Sequence, residues 1–230
     1  MKNLAIITAR GGSRRIPRKN IKEFCGKPII AYTIDAVMRT GIFDEVMVST
    51  DDQEIAFVSR TYGARIPFMR SAETSGDFAT TDQVIDEVIR CYAERAMYFD
   101  RFCCLYPTAP FLTADRIREA MGMLDTHESV MPVVAYDYPP QRSVVIRNGR
   151  LERAYPEFLT TRSQDLEKLY HDCGQFYACR TEAFLRDKTT DVEDLVPLIL
   201  PSGEVQDIDT PADWEAAEAK YLALHPEAMM

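Results

Sequence analysis

The chain has 230 residues, 46% of them hydrophobic, which is enough to bury one well-formed core. Its formal net charge of −9 argues against general binding of nucleic acid, because neutralising a phosphate backbone requires a basic surface. No apolar run approaches the ~20 residues that span a bilayer and the first residues lack signal-peptide features, so we expect a cytoplasmic protein with no membrane partner.

Apolar runs typical of buried strands alternate along the chain with segments of helical period. Strands are predicted at 4–9, 45–50, 102–106, 129–136, 174–179 and 196–200. The intervening helices begin at capping residues, such as Thr113 and Thr210, or end at a glycine, such as Gly41. This order predicts an α/β fold, a three-layer sandwich around a mostly parallel, Rossmann-like sheet.

The segment 137–170 interrupts this alternation. It contains a proline pair and an Asn-Gly turn between two β-type runs, and it shows no clear helical period. These features predict a hairpin that leaves the core of a single domain spanning residues 1–230.

The stretch "ARGGSRRIPRKN" directly follows the first predicted strand and places five cations in an acidic chain. Ligands of open parallel sheets bind beyond the carboxyl ends of the strands, where this stretch lies. Glycine lets backbone N–H groups approach an anion, and Arg and Lys supply charge and donors. The stretch therefore indicates a polyphosphate site, with a solvated basic turn as the alternative. It matches neither a Walker A motif nor G-x-G-x-x-G.

Asp207 and Asp209, in "VQDIDTPAD", are separated by a single residue. In a strand-like stretch both side chains lie on one face, and two carboxylates near a polyphosphate are natural ligands of Mg²⁺. The alternative is the acidic start of a helix, which the helix dipole favours. That alternative accounts for Asp209 but leaves Asp207 unexplained.

The opening of the chain, through "KPIIAYTIDAV", resembles the CMP-sialic acid synthetase family of cytidylyltransferases, which activate nine-carbon 2-keto sugar acids. The resemblance continues through "FDEVMVSTDDQEIA", "LYPTAPF", "YHDCGQFY" and "DIDTPAD", and so covers nearly the whole chain. "YPTAPF" and "YHDCGQFY" are most similar to the members that act on pseudaminic acid. The resemblance implies CTP and such a sugar acid as substrates, Mg²⁺ as cofactor, and a homodimer with 137–170 as its dimerisation arm.

The resemblance also implies roles for individual residues. The implied nucleotide-binding residues are Ala9, Arg10, Gly11, Gly12, Ser13, Lys19, Asn20, Arg70, Thr80 and Thr81. The implied sugar-binding residues are Tyr106, Thr108, Arg162, Tyr170, Gln175 and Phe176, with Arg162 reaching the pocket of the partner subunit. Asp207 and Asp209 would hold Mg²⁺. Arg10, Lys19 and Asp209 would carry catalysis, in which the anomeric hydroxyl of the sugar attacks the α-phosphorus of CTP.

The departures from the family pattern fall on the sugar side. Tyr106 stands where enzymes that act on N-acetylneuraminate typically have Gln, and Ser163 and Glu167 stand where they often have Arg and Pro. The same reaction on N-acetylneuraminate or legionaminate is therefore an alternative. Two other classes stay open: a glycosyltransferase, which can share an Asp-x-Asp metal site, and a non-catalytic nucleotide-binding regulator.

Overall fold

The computed structural model describes residues 1–226. Within this range, no helix combines the length and the apolar composition needed to cross a membrane. The helices are α1 (Ile29–Thr40), α2 (Gln53–Thr61), α3 (Ala72–Ser75), α4 (Thr81–Ala93), α5 (Ala114–Met123), α6 (Thr181–Asp187) and α7 (Pro211–Leu224). The strands are β1 (Asn3–Thr8), β2 (Glu23–Phe24), β3 (Lys27–Pro28), β4 (Glu45–Ser49), β5 (Arg101–Leu105), β6 (Ser129–Ala135), β7 (Val144–Arg147), β8 (Arg150–Arg153), β9 (Tyr170–Asp172), β10 (Phe176–Arg180) and β11 (Leu195–Ile199).

One seven-stranded sheet forms the centre of the fold, in the order β11-β6-β10-β5-β1-β4, with β9 also paired to β6. Strand β1 runs parallel to β4 and β5, and β11 runs parallel to β6. Strands β9 and β10 run antiparallel to their neighbours. The sheet is therefore mixed but mostly parallel, which confirms the predicted α/β class.

Helices cover both faces of this sheet. Ala5 and Ile7 of β1 pack in the core cluster that contains the buried residues of α1, α2 and α5. Leu4 and Ile6 pack in the cluster that contains those of α4 and α6. This division follows from the strand geometry, because successive side chains point to opposite faces. It produces the predicted three layers.

The ends of the helices lie at the capping residues predicted from the sequence. Thr113 Oγ1 accepts a hydrogen bond from the N–H of Arg116 at 3.3 Å, and Thr210 and Asp213 form a reciprocal capping box. Gly41 ends α1 in the left-handed conformation, with φ at 65°. The six predicted strands are present with boundaries shifted by one or two residues. The short elements β2, β3, β9, α3 and α6 were not predicted.

The segment 137–170 leaves the sheet at the end of β6 and returns as β9, where Ala135 pairs with Tyr170. Between these points, β7 and β8 form a hairpin around Asn148 and Gly149, whose φ angles are 50° and 74°. Asn-Gly is the dipeptide that such a turn favours. The hairpin predicted from this dipeptide is present, and both of its strands are exposed along their whole length.

Candidate active site

A cavity of about 630 Å³ opens at the carboxyl ends of β1 and β5, which is where open α/β sheets bind ligands. The loop after β1 forms one wall, and the start of α4 and the loop after β5 form the others. The cavity brings together nine of the predicted site residues, besides one predicted metal ligand, Asp209: Arg10, Ser13, Lys19, Asn20, Arg70, Thr80, Thr81, Tyr106 and Thr108.

Internal hydrogen bonds fix the shape of the loop after β1. Asn20 is buried, and its Nδ2 donates to the carbonyl of Arg10 at 2.8 Å, which ties the two ends of the loop together. Ser13 Oγ donates to the carbonyl of Ile16 at 2.7 Å. Both side chains, although they line the cavity, therefore also hold the loop that presents the cations.

Gly11 packs against Asp52, the residue that caps α2. A Cβ on Gly11 would lie 2.9 Å from Asp52 Oδ2, closer than real Cβ contacts come. Asp52 has little freedom to move, because its Oδ1 accepts hydrogen bonds from the N–H groups of Glu54 and Ile55, both at 2.9 Å. The position after Arg10 therefore requires glycine for close packing.

Arg18 points away from the cavity, unlike the other four cations of the opening stretch. Its guanidinium contacts both carboxylate oxygens of Asp52 and also reaches Glu54. The bond from Arg18 lowers the pKa of Asp52 to about 2, and the N–H groups of α2 add to this effect. Arg18 thus anchors the loop to α2, and only part of the basic stretch faces a ligand.

Arg10 and Arg14 converge on one carboxylate, that of Asp77. Arg10 Nη1 lies 2.9 Å from Asp77 Oδ1 and 3.2 Å from the carbonyl of Gly76. Arg14 Nη2 contacts the other carboxylate oxygen of Asp77. Two guanidinium groups around one anion form the kind of geometry that binds phosphate oxygens.

Asp209 is the second carboxylate held by the cations of this loop. Its Oδ1 lies 2.9 Å from Arg15 Nη2 and 3.4 Å from Lys19 Nζ. Lys19 Nζ also donates to the carbonyl of Ile208 at 2.7 Å. The loop after β1 and the segment before α7 are thus joined across the cavity by charged groups.

Asp207 does not share the cavity with Asp209. The segment 205–209 is not a strand, so the expectation that both carboxylates lie on one strand face was wrong. Asp207 lines a neighbouring cavity of about 830 Å³, together with His171 and Lys220. Residues 1–226 contain no cluster of three or more His, Cys, Asp or Glu side chains that could hold a metal ion.

Arg70 and Thr80 also line the cavity. Arg70 is buried; its Nε donates to Ser49 Oγ at 2.9 Å and its Nη2 to the carbonyl of Ser49 at 2.6 Å. Burial lowers the pKa of Arg70, and the charge of Asp51 opposes that shift. Thr80 caps α4, with its Oγ1 accepting from the N–H of Gln83 at 3.2 Å.

Tyr106 lies where the cavity meets the predicted sugar side. Its hydroxyl is 2.9 Å from Thr81 Oγ1, and burial raises its pKa. Its ring packs edge-on against Tyr177 at a centroid distance of 6.0 Å, and the Tyr177 hydroxyl donates to Asp172. Tyr177 and Asp172 both lie in the "YHDCGQFY" stretch, but the sequence interpretation assigned no role to either of them.

Four residues expected to contact the sugar lie outside this cavity. Phe176 is fully buried in the core and Gln175 is 3% exposed, so neither side chain is accessible to a ligand; a direct sugar contact by these two residues was a wrong prediction. Tyr170 lies on β9 and is partly exposed. Arg162 lies in the 137–170 segment, exposed and paired with Asp165 at 2.7 Å.

Three predicted site residues of the opening stretch also lie outside the cavity lining: Ala9, Gly11 and Gly12. Ala9 is buried, and its N–H donates to the carbonyl of Ser49 at 2.9 Å, which continues the pairing of β1 with β4. Gly12, unlike Gly11, has open space beside it, because a Cβ added there would have no neighbour within 4 Å. The cavity instead includes Asp77 and Phe78, which lie between two predicted site residues in sequence but were not identified themselves.

The sequence profile of the cytidylyltransferase family matches residues 4–195. The chain belongs to this family. A cytidylyltransferase uses CTP and releases pyrophosphate, and the polyphosphate site predicted from the opening stretch agrees with that chemistry.

Among the curated cytidylyltransferases, the chain is similar to the pseudaminic acid cytidylyltransferase of Campylobacter jejuni, with 40% identity over 99% of this chain and 100% of the relative. It is 33% identical to the CMP-N,N'-diacetyllegionaminic acid synthase of Legionella pneumophila, over the full length of both. Among solved structures, CMP:2-keto-3-deoxy-manno-octonic acid synthetase complexed with CTP matches with a TM-score of 0.70 and 19% identity, over 97% of this chain and 100% of that one. At that identity the match shows the fold alone.

Proposed function

We propose that this cytidylyltransferase activates pseudaminic acid, converting CTP and the sugar acid to the CMP-sugar and pyrophosphate. The observation that carries the choice of sugar is the 40% identity over the full length of the pseudaminic acid enzyme, against 33% for the legionaminic acid enzyme. Tyr106, at the boundary of the nucleotide cavity, is where this chain departs from enzymes that act on N-acetylneuraminate. We propose the cytoplasm as the enzyme's site of action.

On the nucleotide side, Arg10, Arg14, Arg15 and Lys19 supply four positive charges along one wall of the cavity. The leaving pyrophosphate develops negative charge during the reaction, and fixed cations stabilise that charge without reorganisation. Arg70, Thr80 and Thr81 line the same cavity. Together these three residues support binding of the cytosine.

On the sugar side, the anomeric hydroxyl attacks the α-phosphorus of CTP in line with the departing pyrophosphate. Thr108 and Tyr106 face the space in which the sugar must lie for this attack. Asp209 contacts two of the phosphate-binding cations, Arg15 and Lys19, and it is our candidate for accepting the proton of the attacking hydroxyl.

The residues around Asp209 fit a Mg²⁺ ion bound partly by the substrate. Mg²⁺ commonly takes one or two protein carboxylates and completes its shell with water and phosphate oxygens. Asp209 would hold it from the nucleotide cavity. Asp207 lines the neighbouring cavity, so it would join Asp209 as a ligand only if the segment 205–209 turned on nucleotide binding. When bound, Mg²⁺ polarises the phosphate and neutralises charge on it.

The assay that tests the sugar compares pyrophosphate release from CTP with pseudaminate, legionaminate and N-acetylneuraminate. We expect the largest kcat/KM with pseudaminate. A larger value with either other acid would overturn the choice of sugar but keep the cytidylyltransferase. CTP binding without pyrophosphate release with any acid would instead favour a non-catalytic regulator.

We also propose that the 137–170 segment forms the contact of a homodimer and that Arg162 contacts the sugar in the partner subunit's pocket. The hairpin exposes apolar side chains, including Ile146 at 75% and Leu151 at 70%. Monomers seldom leave such a patch uncovered without an interaction to make.

Light scattering tests this arrangement. The wild type is expected at twice the mass of the chain, and the double variant Ile146→Ser, Leu151→Ser at the mass of one chain with reduced activity. A monomeric wild type with full activity would overturn it. Arg162→Ala is expected to raise the KM for the sugar acid while the dimer mass stays unchanged.

A further inference from the structure

The segment 76–79, between α3 and the cap of α4, carries an exposed aromatic ring to the mouth of the nucleotide cavity. Phe78 is 98% exposed, the largest exposed fraction among the large hydrophobic side chains of residues 1–226, and yet it lines the cavity. A ring held fully in water costs free energy that burial against a ligand would recover. The position of Phe78 therefore suggests that its ring contacts a bound ligand.

The segment 76–79 is held to other elements through two arginines. In the described part of the chain, its hydrogen bonds and ion pairs to other elements all end on Arg10 or Arg14, through Asp77 and the carbonyl of Gly76. The helix before it, α3, has no buried residue, and its Thr74 hydroxyl donates to Glu87 of α4, which fixes the near end of the segment. The segment can thus move when the contacts of Asp77 are exchanged, while Thr80 keeps its far end fixed as the cap of α4.

The same two arginines are the ones that face a polyphosphate. A carboxylate carries one negative charge and a triphosphate about four, so the triphosphate is the stronger ligand for two guanidinium groups. The Asp77 side chain lies between the two guanidinium groups, where the phosphates of the nucleotide are proposed to bind. Binding of the nucleotide therefore requires Asp77 to leave Arg10 and Arg14.

We propose that Asp77 is a latch that the phosphates of the nucleotide release, and that Phe78 is a nucleotide-contacting residue which then closes over the bound CTP. Phe78 lines the same wall of the cavity as Thr80 and Thr81, the residues proposed to bind the cytosine, so closure places its ring against the base. Stacking of an aromatic side chain on a base is sequence-tolerant and strengthens binding. The inference rests on the proposed binding of CTP phosphates by the opening loop.

Two variants test separately the release of Asp77, the latch, and the closure of Phe78, the lid. Asp77→Asn keeps the size of the side chain and removes its charge, so inorganic pyrophosphate, titrated calorimetrically in EDTA, is expected to bind about threefold tighter, the range of an exposed ion pair. Phe78→Ala is expected to weaken CTP about tenfold, the range of one base–aromatic contact, and to leave pyrophosphate affinity unchanged. Asp125→Asn, an exposed aspartate paired with Arg101 at the opposite edge of the sheet, is the matched control and is expected to change neither affinity.

The direction of each change decides the outcome. Weaker or unchanged pyrophosphate binding by Asp77→Asn would overturn the latch, and unchanged CTP binding by Phe78→Ala would overturn the lid. Because Asp77 and Phe78 are both exposed, the thermal unfolding midpoints of the variants are expected to equal that of the wild type. Phe78→Leu repeats the test of closure with a side chain larger than that of alanine. A wild type that does not bind CTP at all would instead contradict the proposed nucleotide site.

A spectroscopic readout observes the closure directly. The chain has a single tryptophan, Trp214, which is buried. In Phe78→Trp the added indole is expected to emit at longer wavelength in the free protein and to shift to shorter wavelength with CTP, but not with pyrophosphate. The wild type, titrated in parallel, corrects for any response of Trp214. No shift with CTP at saturation would contradict closure.

Discussion

The ion pair of Arg18 with Asp52 is expected to stabilise the fold, and the lowered pKa of Asp52 gives the size of this effect. Asp52→Asn removes the negative charge but keeps an oxygen that can accept from the N–H groups of Glu54 and Ile55, so the cap of α2 survives. Lowering the pKa of Asp52 from its ordinary value of 3.8 to about 2 corresponds to about 2 kcal/mol of stability at neutral pH. Arg18 is 39% exposed, so screening by solvent makes this figure an upper bound.

The sign of the pH dependence follows from the lowered pKa. A carboxyl whose pKa is lower in the folded than in the unfolded state stabilises the fold above its unfolded value, and that contribution is lost as the pH falls through the folded value. The stability gap between wild type and Asp52→Asn is therefore expected to be constant from pH 7 to pH 5 and to fall to about half at pH 3.

Urea unfolding at pH 7, 5, 4 and 3 measures this gap, because other titrating groups contribute equally to both proteins. Asp86→Asn, which breaks an exposed pair with Lys188, is the control and is expected to cost less than about 1 kcal/mol at any of these pH values. A gap below about 0.5 kcal/mol at pH 7, or one that does not shrink at pH 3, would refute the assignment of the shift to Arg18.

Four further substitutions test the site and its support. Gly11→Ala is expected to weaken CTP about tenfold in calorimetry, since its Cβ would displace Asp52 and the loop; unchanged affinity would contradict the close packing. Asp209→Ala is expected to lower kcat at least about 100-fold with an unchanged unfolding midpoint; near-normal turnover would rule out its catalytic role. Tyr106→Phe is expected to raise the KM for the sugar acid and leave that for CTP unchanged, and equal effects on both would place Tyr106 on the nucleotide side. Thr210→Ala is expected to cost about 1 kcal/mol in thermal unfolding, through loss of the α7 cap; no loss would mean the capping box contributes nothing.

The sequence predicts the sheet and its helices well because their signals are local. The apolar run at 4–9 and the glycine at 41 act through side-chain period and backbone conformation, and both depend on a few neighbouring residues. The antiparallel insertion of β10 between β5 and β6 could not be predicted in this way, since strand order depends on contacts between residues far apart in the chain.

The same distinction between local signals and long-range contacts applies to the candidate site. The opening stretch predicts a phosphate-binding loop, which stays a prediction. It does not predict that Arg18 turns to Asp52 while Arg10 and Arg14 turn to Asp77. The choice among nearby carboxylates is made by tertiary structure. Phe176 shows the opposite case, because its motif position implied a ligand contact while the alternation of β10 places its side chain in the core.

The pairing of Ala135 with Tyr170 gives the 137–170 segment a property that concerns evolution rather than chemistry. Both ends of the segment are fixed on adjacent antiparallel strands, so its entry and exit lie side by side, as in a loop of a hairpin. Such a segment can be lengthened, shortened or exchanged between relatives without disturbing the order of the sheet. Changes in this segment can therefore accumulate while the loop after β1 stays the same.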